Sequence, residues 1–101
     1  MAMDYRTEWA GSMVALDRAI SRQHIAIRSL TLELRARAVD ANKAFRSING
    51  QSPVDARRYT DAEYRYYSDL YIRAQRLLER ARADLDALLA RRSSLEYRLG
   101  A

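Results

Sequence analysis

The side chains able to do chemistry are few and scattered. His24 is the only histidine. A catalytic imidazole needs a nucleophile and an orienting acid, and a metal site needs further ligands at helical spacing. Neither stands near it, and the Glu-x-x-His pair of di-metal helical bundles is missing because Ser21 occupies the place of the glutamate. His24 therefore reads as a structural or exposed residue. Asp84 and Asp86 are two apart, about 200° around a helix, and cannot work as a carboxylate pair within one chain. There is no cysteine, so no disulfide, thiolate ligand or thiol nucleophile. No phosphate-binding glycine loop and no Gly-x-Ser-x-Gly elbow occurs. The expectation is a non-enzymatic protein with no catalytic residue, metal site, cofactor or small-molecule substrate.

Five of the seven tyrosines fall between Tyr59 and Tyr71, beside Arg57, Arg58 and Arg65. Tyrosine and arginine anchor protein interfaces, because a tyrosine covers a large area at low entropic cost. Single-stranded nucleic acid stacks on the same residue types. The plainer alternative is that Tyr64, Tyr67 and Tyr71 fill the core, which leaves Tyr66, pointing away from that stripe, unexplained. Arg57, Arg58, Tyr59, Arg65 and Tyr66 form the candidate partner surface. Arg73, Arg76 and Arg80, on the far side of the same helix, are the candidate contacts if the partner is DNA or RNA.

Charge does not favour nucleic acid. The net charge is +5, and with Lys43 the single lysine, 17 of the 18 basic residues are arginine. That skew is explained by a GC-rich genome and points to a bacterium or its phage. Residues 1–50 carry eight basic and five acidic groups and residues 51–101 carry ten and eight, so no arm or half concentrates the charge. The N-terminus is polar, and no apolar run approaches the ~18 residues of a membrane span. A cytoplasmic protein without a membrane partner is the expectation.

The elements that position these residues are set by one turn. Asn49-Gly50 follows the last apolar residue of a long breaker-free run, and both types tolerate the left-handed conformation that closes a helix. Ser52-Pro53-Val54-Asp55 offers a capping hydroxyl before the only proline, which suits a short helical turn. Thr60-Asp61-Ala62-Glu63 is a capping box. The spacing thus predicts helix one over about 5–48, a turn over 49–60 and helix two over about 61–99, in a single domain. The fold class is an all-α antiparallel hairpin, with each helix ~60 Å long at 1.5 Å per residue.

Helix one carries an apolar seam that steps by four and three: Trp9, Met13, Leu16, Ile20, Gln23, Ile27, Leu30, Leu34, with Gln23 its polar interruption. The pattern then slips by one and resumes as Ala38, Ala41, Phe45, Ile48, which predicts local unwinding. Trp9 is expected against the end of helix two, near Leu95 or Leu99. The alternation of Ile25, Ile27, Leu30, Leu32 and Leu34 also resembles a strand, but nothing else in the chain could pair with one. A second helical seam explains it better: Ile25, Ser29, Leu32, Ala36 and Val39 step by the same spacing on the opposite face. Helix two has one broad stripe, from Tyr64 and Tyr67 through Leu70, Tyr71, Ala74, Leu77, Leu78, Ala81, Leu85, Leu88 and Leu89 to Leu95 and Leu99.

Two apolar faces on one helix imply two neighbours. Helix two covers one, and a homodimer forming a four-helix bundle, or a protein partner, covers the seam of Ile25, Leu32, Ala36 and Val39. The expected function is a protein–protein interaction module: an adaptor, assembly subunit, chaperone or phage-type inhibitor. A basic helical DNA- or RNA-binding protein is the alternative.

The order Trp9-Ala10-Gly11, Ser52-Pro53 and Leu70-Tyr71-Ile72-Arg73-Ala74-Gln75 is similar to that of type III secretion needle subunits. Those are short helical hairpins with an early Trp-x-Gly, a proline turn and a tyrosine-rich segment ending in Ala-Gln. The resemblance covers about a dozen residues and implies a subunit that polymerises. This chain lacks the family's second turn proline and extends helix two well past Gln75. WXG100 secreted proteins, also helical hairpins, carry Trp-x-Gly in the turn, where this chain has Asn49-Gly50.

Overall fold

In a computed structural model the described residues are 5–51 and 57–100, with only the backbone described for 5–9. Two helices, α1 (Tyr5–Ile48) and α2 (Asp61–Gly100), pack against each other as an all-α hairpin, and no strand occurs among the described residues. The expected turn at Ser52 to Asp55 and the packing expected of the Trp9 side chain lie outside the described residues.

Both helix ends at the connection are closed by the chain's own polar groups. Gly50 sits at φ 67°. Its N–H donates to the Ser47 carbonyl at 3.2 Å, and the Gln51 N–H donates to the Arg46 carbonyl at 2.8 Å. This nested pair satisfies carbonyls that the end of a helix would otherwise leave bare. At the start of α2 the Glu63 N–H donates to Thr60 Oγ1 at 3.1 Å and the Thr60 N–H to Glu63 Oε1 at 3.3 Å. The capping box read from the sequence is formed. The Tyr59 N–H also donates to Ser47 Oγ at 2.9 Å, tying the residue before the cap to the last turn of α1.

The chain groups into two compact units, residues 1–27 with 80–101 and residues 28–79. In the first, Leu16, Ile20 and Ala81 are buried. Gln23 Nε2 donates to the Ala81 carbonyl at 2.8 Å, so the polar break in the seam uses the second lone pair of a helix carbonyl on the facing element. Arg92 Nε donates to Asp17 Oδ1 at 2.7 Å and Arg92 Nη1 to Glu96 Oε2 at 3.1 Å. The pairs 17 with 92 and 23 with 81 run in opposite order, the antiparallel sense.

In the second unit Ala44, Ala74 and Leu78 are buried, with Leu30, Leu34, Arg37, Ala41, Tyr64, Tyr67 and Tyr71 half-buried. Here the structure corrects the predicted slip after Leu34. Phe45 is 46% exposed and Ile48 40%, whereas Ala44 is fully buried. The buried line continues unbroken through Leu34, Arg37, Ala41 and Ala44. A polarity reading passes over Arg37, which is half-buried on this line, as a long side chain can be when its stem covers apolar surface and its charge stays in water. It also undervalues alanine, since Ala44 is the most deeply buried residue of the line. On α2 the buried line likewise steps by three and four, through Tyr71, Ala74, Leu78 and Ala81. Leu77 and Leu89, counted in the predicted stripe, fall outside it and are 51% and 40% exposed.

A Cβ added to Gly50 meets nothing within 4 Å, so glycine is required there by conformation and not by space. Gly50→Ala is expected to lower the unfolding free energy by about 1 kcal/mol or more in urea titration, and Gly50→Asn by less, because asparagine tolerates the left-handed region. Thr60→Ala should cost about 1 kcal/mol while Thr60→Ser retains the cap.

Candidate interaction surfaces

Residues two positions before or after a buried residue of a helix lie about 200° away from it and face outward. In the second unit this places Leu32, between Leu30 and Leu34, on the outer side of α1 at 59% exposure, with Val39 at 52% and Ala36 also exposed. In the first unit Ile25 is 68% exposed. The polar faces of a solvated helix are normally filled by charged residues, yet here the outermost place at every seventh residue, 25, 32 and 39, is aliphatic.

Near the connection the tyrosines divide by register. Tyr64, Tyr67 and Tyr71 occupy the buried line and are half-buried; Tyr66 is 60% exposed. Three rings form a chain in which Tyr59 meets Tyr67 edge-on at 5.7 Å between centroids and Tyr67 meets Tyr66 edge-on at 5.3 Å, and a separate pair, Phe45 and Tyr64, is tilted at 6.1 Å. The Arg57 guanidinium lies 4.5 Å from the Tyr59 ring centroid and pairs with Glu63, the same carboxylate that completes the capping box. Tyr67 by hydrogen bonding first, and Glu63 by its charge second, hold the Arg57 pKa above its ordinary value. The structure therefore brings Arg57, Tyr59 and Tyr66 into one aromatic and cationic cluster. Arg58 and Arg65 are exposed and belong to none of its contacts among the described residues.

The arginines considered for nucleic acid are all exposed, Arg73 and Arg76 in the second unit and Arg80 in the first. His24, Asp84 and Asp86 are exposed as well. Among the described residues no three His, Asp or Glu side chains come together as a metal site would need, and no helix is long and apolar enough to cross a membrane. The first unit also carries an open groove of about 520 Å³ whose lining includes Leu16, Leu88, Leu95, Ala15, Arg91 and Arg98. Sequence reasoning missed this groove and the exposure of Leu77 and of Tyr97, which is 79% exposed. The signal for Leu77 was available, since it stands one residue off the strict three-and-four line that includes Leu78.

Compared with known protein-family models, curated proteins and solved structures, the chain matches none of them.

The register gives a direct expectation for stability. Tyr67→Ala removes a half-buried ring that two other rings pack on, and should cost about 2 to 3 kcal/mol in chemical unfolding. Tyr66→Ala should cost less than about 1 kcal/mol, since it forfeits only one exposed edge contact.

Proposed function

We propose that this chain is a non-enzymatic protein–protein interaction module that self-associates through the outer face of α1 and presents the cluster of Arg57, Tyr59 and Tyr66 to a protein target. The observation that carries this reading is the exposure of Leu32 at 59%, directly opposite the line that packs on α2. Burying such a side chain contributes roughly 1.5 to 3 kcal/mol, a gain the hairpin forgoes and a second surface recovers. Two copies joined on this face give four helices closed about a two-fold axis, with the same patch used by both. Tyr66 and Arg57 supply the large, stiff and cationic side chains that interface centres favour, on a segment already held in place by the capping box.

Two rival readings make different predictions in the same experiment. A nucleic-acid role for Arg73, Arg76 and Arg80 implies affinity that falls steeply with salt, whereas an apolar interface is nearly indifferent to it. A polymerising, needle-like subunit implies an open head-to-tail contact and filaments instead of a closed pair.

Light scattering on a sizing column, with nuclease-treated and untagged protein, should return twice the chain mass at both low and high salt. Leu32→Asp should return a helical monomer, the dissociation constant rising by more than about 100-fold because the two-fold axis removes two leucines at once. An unchanged mass in the variant would refute the outer face as the interface.

A further inference from the structure

The outer face of α1 carries a charge order that specifies how a second copy lies on it. Taking Ile25, Ser29, Leu32, Ala36 and Val39 as the central line, Arg28 and Arg35 stand immediately before Ser29 and Ala36. Ala26, Glu33 and Asp40 stand immediately after Ile25, Leu32 and Val39. One flank is thus basic and the other acidic where it is charged at all. In a parallel two-helix pair each flank meets the opposite flank of its partner, and a residue pairs with the one five positions later in the other copy. Arg28 then meets Glu33 of the second copy and Arg35 meets Asp40, each twice by symmetry. In an antiparallel pair like flanks meet, so that arginines face arginines and Glu33 faces its own copy.

Arg28, Glu33 and Arg35 are exposed and Asp40 is half-buried. Among the described residues Arg28, Arg35 and Asp40 make no ion pair within the chain, and Glu33 makes one long contact, 3.9 Å to Arg37, which leaves acceptor sites on its carboxylate. Ser29 and Ala36 are small and exposed, and small residues on the central line let two backbones approach closely enough for the flanking side chains to span the gap. All of these residues, with Leu32 and Val39, belong to the second unit.

From this juxtaposition we infer that two copies of the chain pair in parallel and in register along α1, with Leu32 and Val39 packed on their counterparts and Arg28–Glu33 and Arg35–Asp40 ion pairs between copies. The inference rests on the reading that a second copy covers this face, and adds its direction and register.

The absence of cysteine makes the test clean. Ala36→Cys should form an intermolecular disulfide in a glutathione redox buffer, because residue 36 faces its own copy only in the parallel, in-register pair. In an antiparallel pair that keeps the same line central it faces residue 25 or 32 instead, and a mixture of Ala36→Cys with Ile25→Cys or with Leu32→Cys would cross-link. Charge exchange gives a second, independent readout by sedimentation. Arg28→Glu with Arg35→Glu, and separately Glu33→Arg with Asp40→Arg, should each weaken self-association by about tenfold or more, and mixing the two variants should restore it as a heterodimer. A wild-type protein that sediments as a monomer overturns self-association itself. A wild-type dimer that ignores the charge exchange, or that cross-links only in the mixed cysteine experiment, overturns the parallel direction and leaves self-association standing.

Discussion

Packing along one line is the constraint from which the rest of this molecule follows. Two helices that meet on a strict three-and-four register bury one narrow stripe each, and here that stripe contains much alanine: Ala44, Ala74 and Ala81 are among the buried residues, with Leu16, Ile20 and Leu78. Small residues bring the helix axes close but hide little surface, and a two-helix arrangement of this length buries less than a compact domain does. In the second unit half-buried tyrosines add ring contacts, Tyr64 with Phe45 and Tyr67 with Tyr59. Stability thus leans on accurate register, and the polar devices at the connection and along the seam serve that register.

Those devices are reciprocal. Gln23 reaches a backbone carbonyl of α2, Asp17 meets Arg92, and the Ser47 hydroxyl accepts from Tyr59. Each is a modest contribution, about 1 kcal/mol for a neutral hydrogen bond and less for an exposed ion pair. Their value lies in position: a slide by one turn would lose each of them within its own unit. Glu63 links the local and tertiary levels most directly, because one carboxylate completes the cap of α2 and pairs with the guanidinium that lies on Tyr59.

What is left uncovered on α1 is apolar. A helix that needed only solvent on its outer side would carry charges at the outermost places, and α1 carries isoleucine, leucine and valine there. The flanking order of arginines and carboxylates around them is of the kind that selects direction and partner. Tyr66 and Arg57 belong instead to the cluster at the start of α2, where Arg57 lies on the Tyr59 ring and Tyr66 meets Tyr67.

The helix-ending and helix-starting signals were legible residue by residue, because capping is local: Asn49-Gly50 and Thr60 to Glu63 act through bonds spanning a few residues, and no distant neighbour can change their meaning. The two-faced character of α1 was legible as well, since a helix converts spacing into direction without help. The tertiary structure decided the rest. Whether Ala44 or Phe45 lies in the seam depends on how the two helices pack, and here Ala44 is buried while Phe45, still exposed, keeps a ring contact with Tyr64. Arg37 and Arg92 are half-buried at places on the three-and-four line, and a long side chain can cover apolar surface with its stem while its charge stays in water, which no scale of residue polarity records. The pairing of Arg57 with Glu63 and Tyr59 likewise depended on where the connection returns to α2, a matter of three-dimensional closure and not of spacing.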